Sequence, residues 1–178
     1  GIDSSVVAAI YGKILPAGNL MLLNMPSRHN STLTRDLASQ LAKNLDCLYC
    51  EAPIEESCRL SMNQLNGLVA ANSRGTLKHT MKITDCVMEN VQARDRSSRI
   101  LAAVAAEFGG VFTCNANKSE ATVGYTTLYG DLAGYLANIA DRRNTEAYEL
   151  ASYSNNHVYG MELIPEDSSR ITHSAEHS

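Results

Sequence analysis

The sequence has no long apolar run. Its longest strongly apolar stretch, from Ile100 through Val104 to Phe108, is broken by Glu107. That falls well short of the roughly 18 residues needed to cross a bilayer, so no membrane span is expected. There is no basic excess either: 15 Lys and Arg stand against 19 Asp and Glu, a net charge of -4. A protein that binds nucleic acid through a general electrostatic field is therefore excluded, and any phosphate must be gripped locally. Nor is there a disulfide framework, since Cys47, Cys50, Cys58, Cys86 and Cys114 are odd in number and scattered. With no signal peptide ahead of them, a reducing cytoplasm is the expected setting. Cys47 and Cys50 form a CxxC, but in a run that reads as a strand an offset of three sends the side chains to opposite faces, which argues against zinc. His173 and His177 lack the Glu of a zinc-binding HExxH, so solvent-exposed histidines are expected.

What is present is the composition of a globular protein. Of 178 residues, 44% are hydrophobic and 19% charged, enough for one compact core. The chain opens abruptly, Gly1-Ile-Asp-Ser-Ser running straight into the helical pattern Val6 to Ile10 with no preceding strand. Residues 19 to 25 are continuously apolar, as in a buried parallel strand ended by Pro26. After Ser31 as N-cap, Leu33, Leu37, Leu41 and Leu45 recur every four residues and predict an amphipathic helix. Cys47 to Ala52 reads as the next strand, and the order helix, strand, helix, strand implies parallel pairing with right-handed crossovers.

Residues 60 to 84 carry the weakest pattern, interrupted by Asn63, Asn66, Gly67, Asn72 and Gly75, and read as an excursion from the core. A long helix is predicted from Asp85 to Phe108, stopped by Gly109 and Gly110, followed by a strand over Val111 to Cys114. Asn117 to Glu120 opens a short helix, Thr145 to Tyr153 is a further helix, and Pro165 with Asp167 and serines reads as a loop-like tail.

The first turn suits phosphate. A helix N-terminus offers unpaired N–H groups and the positive end of its dipole; Ser4 and Ser5 add hydroxyls and Asp3 a carboxylate for magnesium. Read alone, such a string is most often a cap. Other segments decide. Gly1-Ile-Asp-Ser-Ser resembles the second half of the Ser-Gly-Gly-x-Asp-Ser loop of the ATP pyrophosphatase superfamily, and Asn24-Met-Pro-Ser-Arg resembles its adenine-side strand end. Glu89-Asn-Val-Gln-Ala-Arg94, Asn117-Lys-Ser-Glu120 and Gly124-Tyr-Thr-Thr-Leu-Tyr-Gly-Asp131 occur in the order and spacing of NAD synthetases, most like the synthetase domain of the glutamine-dependent form. Ser174-Ala-Glu resembles that family's Pro-Ser-Ala-Glu-Leu element.

The resemblance implies a doubly wound parallel α/β sheet of the adenine nucleotide alpha hydrolase-like, ATP pyrophosphatase type, with residues 1–178 forming one synthetase domain without its first strand and C-terminal segment. It implies ATP- and magnesium-dependent amidation of nicotinic acid adenine dinucleotide (deamido-NAD) to NAD through an acyl-adenylate, releasing pyrophosphate and AMP. Gly1, Asp3, Ser4, Ser5, Asn115 and Ser174 would hold ATP; Asn90, Arg94, Glu120, Tyr125 and Asp131 would hold deamido-NAD; Asp3 and Glu120 would bind Mg2+. Lys118 would neutralise phosphate. The nitrogen would come from free ammonia or from glutamine through a glutaminase domain outside this chain, and a homodimer is implied.

Each assignment has a bland rival on the residues alone. Asn117 with Glu120 is also a capping box, Asn90 and Arg94 lie on one helical face as a solvated stripe would, and the tyrosines suit a core as well as a stacking surface. Two departures bear on activity: Asn115 stands where a Thr is usual, and Asn144 stands where an Asp-x-x-Lys-Thr pattern would put a phosphate-binding lysine. Two further readings stay open, a non-catalytic adenine-nucleotide-binding module of the same fold and another ATP pyrophosphatase amidotransferase.

Overall fold

The computed structural model describes residues 1–27 and 32–169. Helix α1 (Ile2–Ile14) is buried on nearly every side, with Val6 and Ala9 at 0% and 1% exposure. Its small and β-branched residues let neighbours approach from several directions, which makes it the hub of the core. Strands β1 (Met21–Asn24) and β2 (Leu48–Glu51) pair in parallel, Met21 opposite Leu48 and Asn24 opposite Glu51. Helix α2 (Thr32–Leu45) crosses between them, and its predicted stripe is realised where Leu37 and Leu41 are buried. The principal core joins α1 and α2 to Ile139, to Ala147 and Ala151 of α7 (Asn144–Tyr153), and to Leu163 and Ile164.

The stretch with the weakest sequence pattern is ordered. Helix α3 (Glu55–Leu65) buries Cys58 against Ile54 and Ile100, and β3 (Val69–Ala71) pairs antiparallel with β4 (Lys78–Thr80) in an exposed hairpin. Asn72 closes the hairpin loop, accepting from the Leu77 amide at 3.0 Å, and Gly75 takes φ 67. The asparagines and glycines that looked like breakers are the hairpin's turn chemistry.

The long helix runs as predicted but changes pitch. The α-helical turns of α4 (Asp85–Arg94) pass through π-helical Asp95–Leu101 into α5 (Ala102–Phe108), and Gly109 ends the run in the left-handed conformation at φ 70. The Ser57 hydroxyl donates to Asp95 at 2.5 Å and the Arg99 guanidinium donates to both, pinning α3 to the π segment. Burial alone would raise the Asp95 pKa, but the hydrogen bonds from Arg99 and Ser57 outweigh it and hold the carboxyl below its ordinary range.

Two expectations are corrected. Residues 111–114 do not form a regular strand: Cys114 makes a single parallel bridge to Ala137, because the segment meets a neighbour along one edge only. The tail after Tyr153 is not peripheral. Ser154–Tyr159 continues α7 as a π turn, and Leu163 and Ile164 beyond it are 0% and 2% exposed. The Asn155 side chain holds them, accepting from the Leu163 and Ile164 amides at 3.1 and 2.9 Å and donating to the Ile164 carbonyl at 2.8 Å. Asn155→Ala leaves those buried groups unpaired and is expected to cost about 2–4 kcal/mol. Thermal unfolding should show a midpoint lower by about 5–12 °C.

Candidate functional site

The chemistry gathers at the carboxyl ends of β1 and of residues 111–114, where open α/β sheets bind ligands. A cavity of about 490 Å³ lies there, and its mouth is lined by Gly1, Ser4, Ser5, Asn24, Asn115 and Arg96. The first turn of α1 supplies the polar end. The Ser4 and Ser5 hydroxyls each donate to the Gly1 carbonyl at 3.0 Å, which folds the chain tightly at the helix start. The amides of the first helical turn have no partner within the helix and point out of its N-terminus. Asn115 sits opposite, its Oδ1 accepting from the Thr113 hydroxyl at 2.9 Å, so its amide nitrogen is the donor left to face a ligand.

Beside the mouth is a buried polar knot. Asn117 is fully buried at the start of α6 (Lys118–Val123). Its Nδ2 donates to Asp3 Oδ1 at 3.1 Å, its Oδ1 accepts from the Glu120 amide at 3.0 Å, and its own N–H donates to Glu120 Oε2 at 3.1 Å. The capping box predicted as a bland alternative is real, and it does more than start a helix, because it brings the Glu120 carboxylate and the Asp3 carboxylate to one residue. Asp3 lies beside the cavity rather than in its lining. Asn144 is joined to the same helix, its N–H donating to Ser119 Oγ at 3.2 Å while its own Oδ1 is buried without a hydrogen-bond partner. Lys118 is exposed.

The dinucleotide-side residues form a separate group. Asn90 Nδ2 donates to the Cys86 carbonyl at 2.9 Å within α4. Arg94 reaches the loop after α6, its Nε donating to the Leu128 carbonyl at 3.1 Å. Asp131 Oδ1 accepts from the Thr127 amide at 3.0 Å and closes that loop, while Tyr125 is half exposed at 52%. None of these four lines the cavity. Ser174 lies outside the described residues.

Arg96 went unnoticed in the sequence. It lines the cavity mouth and its Nε donates to the Met25 carbonyl at 3.2 Å, at the end of β1. Its place depends on the π turn, which rotates the helix face after Arg94; a basic residue two positions past Arg94 gives no such signal by itself.

The sequence profile of the family described as NAD synthase matches residues 1–175. The chain belongs to the NAD synthase family. It is 35% identical over 167 residues to the glutamine-dependent NAD(+) synthetase of Thermotoga maritima, covering 94% of this chain and 27% of that protein. The Aquifex aeolicus protein of the same name is 38% identical over 156 residues, 87% of this chain and 25% of its own length. The chain thus spans about a quarter of the length of these NAD synthetase relatives. Among solved structures, the glutamine-dependent NAD+ synthetase of Acinetobacter baumannii in complex with adenosine diphosphate superposes with TM-score 0.80 at 30% identity, covering 94% of this chain and 29% of that one. The NH3-dependent NAD synthetase of Campylobacter jejuni gives TM-score 0.72 at 28% identity, covering 91% of this chain and 63% of that one. Among the described residues no helix is long and apolar enough to cross a membrane, and no group of three or more His, Cys, Asp or Glu could hold a metal.

Proposed function

We propose that this chain carries the synthetase chemistry of a cytoplasmic, homodimeric NAD synthetase: ATP-dependent amidation of deamido-NAD through an acyl-adenylate. Residues 1–178 then belong to one doubly wound ATP pyrophosphatase domain. The observation that carries the reading is the convergence of the α1 turn and Asn115 on one cavity mouth, with the Asp3–Asn117–Glu120 knot beside it. The adenosine diphosphate complex of the A. baumannii relative supports an adenine nucleotide as the ligand.

A carboxylate is a poor acceptor for ammonia. The deamido-NAD carboxylate oxygen attacks the α-phosphorus of ATP, the bond from that phosphorus to the bridging oxygen breaks, and pyrophosphate leaves. Charge builds on the departing pyrophosphate, where the first-turn amides of α1 and the Ser4 and Ser5 hydroxyls are in place to stabilise it. The Asn115 amide holds the adenosine side, and Asn90, Arg94, Tyr125 and Asp131 orient the dinucleotide. Ammonia then attacks the acyl carbon and AMP departs with the carboxylate oxygen. Two hard carboxylates meeting at Asn117 fit Mg2+, which favours one or two carboxylates plus substrate phosphates; Asp3 and Glu120 would hold it, and when bound it supplies charge neutralisation. Incubating the full-length protein with ATP, magnesium and deamido-NAD, with ammonia or glutamine, should give AMP, pyrophosphate and NAD in equal amounts. ADP formation, or ATP binding without turnover, would overturn the reading.

Asn144 gives a graded test. A lysine there adds a cation next to the α6 cluster, where Asn144 now holds a buried acceptor without a partner. Asn144→Lys should lower the KM for ATP by about tenfold, the worth of one charge-assisted phosphate contact. Saturation kinetics showing an unchanged ATP dependence would refute that placement.

A further inference from the structure

The deeper part of the cavity differs from its mouth. Its two faces are apolar, α1 contributing Val7 and Ala8 and α5 contributing Val104 and Phe108. Its two sides are backbone. On β1, the Leu20 and Asn24 carbonyls accept from Leu48 and Ala52 of the β2 side, so by the two-residue alternation Met21 and Leu23 turn their N–H and C=O groups the other way. On residues 111–114, the Phe112 carbonyl accepts from Tyr135 and the Cys114 amide donates to the Leu136 carbonyl, so Val111 and Thr113 likewise turn away from that partner. Met21, Leu23, Val111 and Thr113 all line the cavity.

We infer that this space is the berth of an extended peptide segment joined directly to Gly1, which lies between β1 and residues 111–114 and merges them into one sheet. A small molecule with apolar faces would fill the volume and leave two rows of backbone groups unpaired; an extended backbone alone supplies N–H and C=O on both sides at the required spacing. Helices cover both faces, so the side chains of the segment are apolar on both, as in interior parallel strands. Four residues extend over roughly 13 Å, the length of either edge. The place of Gly1 in the cavity lining gives the route in, and the relatives have chain to supply, since this one spans 27% of the T. maritima protein. The half-buried state of β1, where a fully buried strand is predicted from its apolar run, follows from the open edge. This inference does not depend on the ATP reading.

The test joins Val-Val-Ile-Val-Leu through Ser-Gly to Gly1 and follows amide hydrogen exchange in the bare chain, in the fusion, and in a fusion with the central Ile replaced by Pro. The amides of Met21, Leu23, Val111 and Thr113 should exchange at least about tenfold more slowly in the first fusion, and within about threefold of the bare chain in the proline control. Unchanged exchange on either edge, or equal protection with proline, overturns the inference. If the fusion does not fold, Ala105→Phe in the bare chain decides. A thermal midpoint that holds or rises supports an open berth beside α5, and a fall beyond about 5 °C, the mark of an already filled core, contradicts it.

Discussion

Asp3→Asn should remove most of the synthetase activity of the full-length protein and leave its fold intact. The wild-type carboxylate is almost buried, 9% exposed, and accepts from Asn117 Nδ2 at 3.1 Å. An asparagine offers an oxygen in the same place, so the buried Asn117 keeps a partner and the knot between α1 and α6 survives. What is lost is the negative charge, and with it half of the proposed magnesium site. Loss of one such electrostatic element at the departing pyrophosphate is worth about 10²–10³ in rate. AMP release at saturating ATP and deamido-NAD should fall by that factor while the thermal midpoint moves by only a few degrees. Asp3→Ala should lose both activity and stability, because it leaves the Asn117 amide without an acceptor. Retention of a third or more of the activity in Asp3→Asn would remove Asp3 from the chemistry and leave it a structural anchor.

Gly134→Ala should be the most damaging single-methyl change in the fold. Gly134 has φ 148, which L side chains rarely adopt, and an added Cβ would fall 2.2 Å from the Cys114 nitrogen and 2.6 Å from the Thr113 carbonyl carbon. Both obstacles are backbone and cannot swing aside. The loop after α6 crosses residues 113–114 there, next to the Asn115 that faces the cavity mouth. Strain at φ and displacement of packed backbone together should cost about 3–5 kcal/mol. That corresponds to a midpoint lower by about 8–15 °C, or to failure to accumulate as soluble protein. Gly18→Ala, where an added Cβ meets nothing within 4 Å, is the control and should lie within about 0.5 kcal/mol of the parent. Unfolding followed by circular dichroism compares the two; equal midpoints would mean the loop does not lie against residue 114.

The parts of the structure that sequence made legible are those in which one local signal dominates. The leucines of α2 repeat at helical spacing and the apolar runs ending at Pro26 and Pro53 mark β1 and β2, so the parallel pair and its crossover helix could be read directly. Helix α3 was hidden because its stability is tertiary: Cys58 buries against Ile54 and Ile100, and Ser57 meets Asp95, 38 residues away. Leu163 and Ile164 were hidden for the same reason, since their order comes from the Asn155 side chain rather than from any periodic pattern. In the candidate site, Asp3, Glu120 and the α1 serines stood out through motif resemblance, whereas their meeting at Asn117 needed three-dimensional contact. Arg96 was invisible because the π turn that aims it has no sequence rule of comparable strength.

The central claim is that the carboxylate of deamido-NAD is activated by adenylation, and the fate of its oxygen tests it. Deamido-NAD carrying ¹⁸O in the nicotinate carboxylate is turned over by the full-length protein with ATP, magnesium and ammonia, and the phosphorus products are separated and weighed by mass spectrometry. One ¹⁸O atom in each AMP, with none in pyrophosphate, is the expected result. Label in inorganic phosphate beside unlabelled ADP would contradict it, because the activating bond would then have formed at the γ-phosphorus.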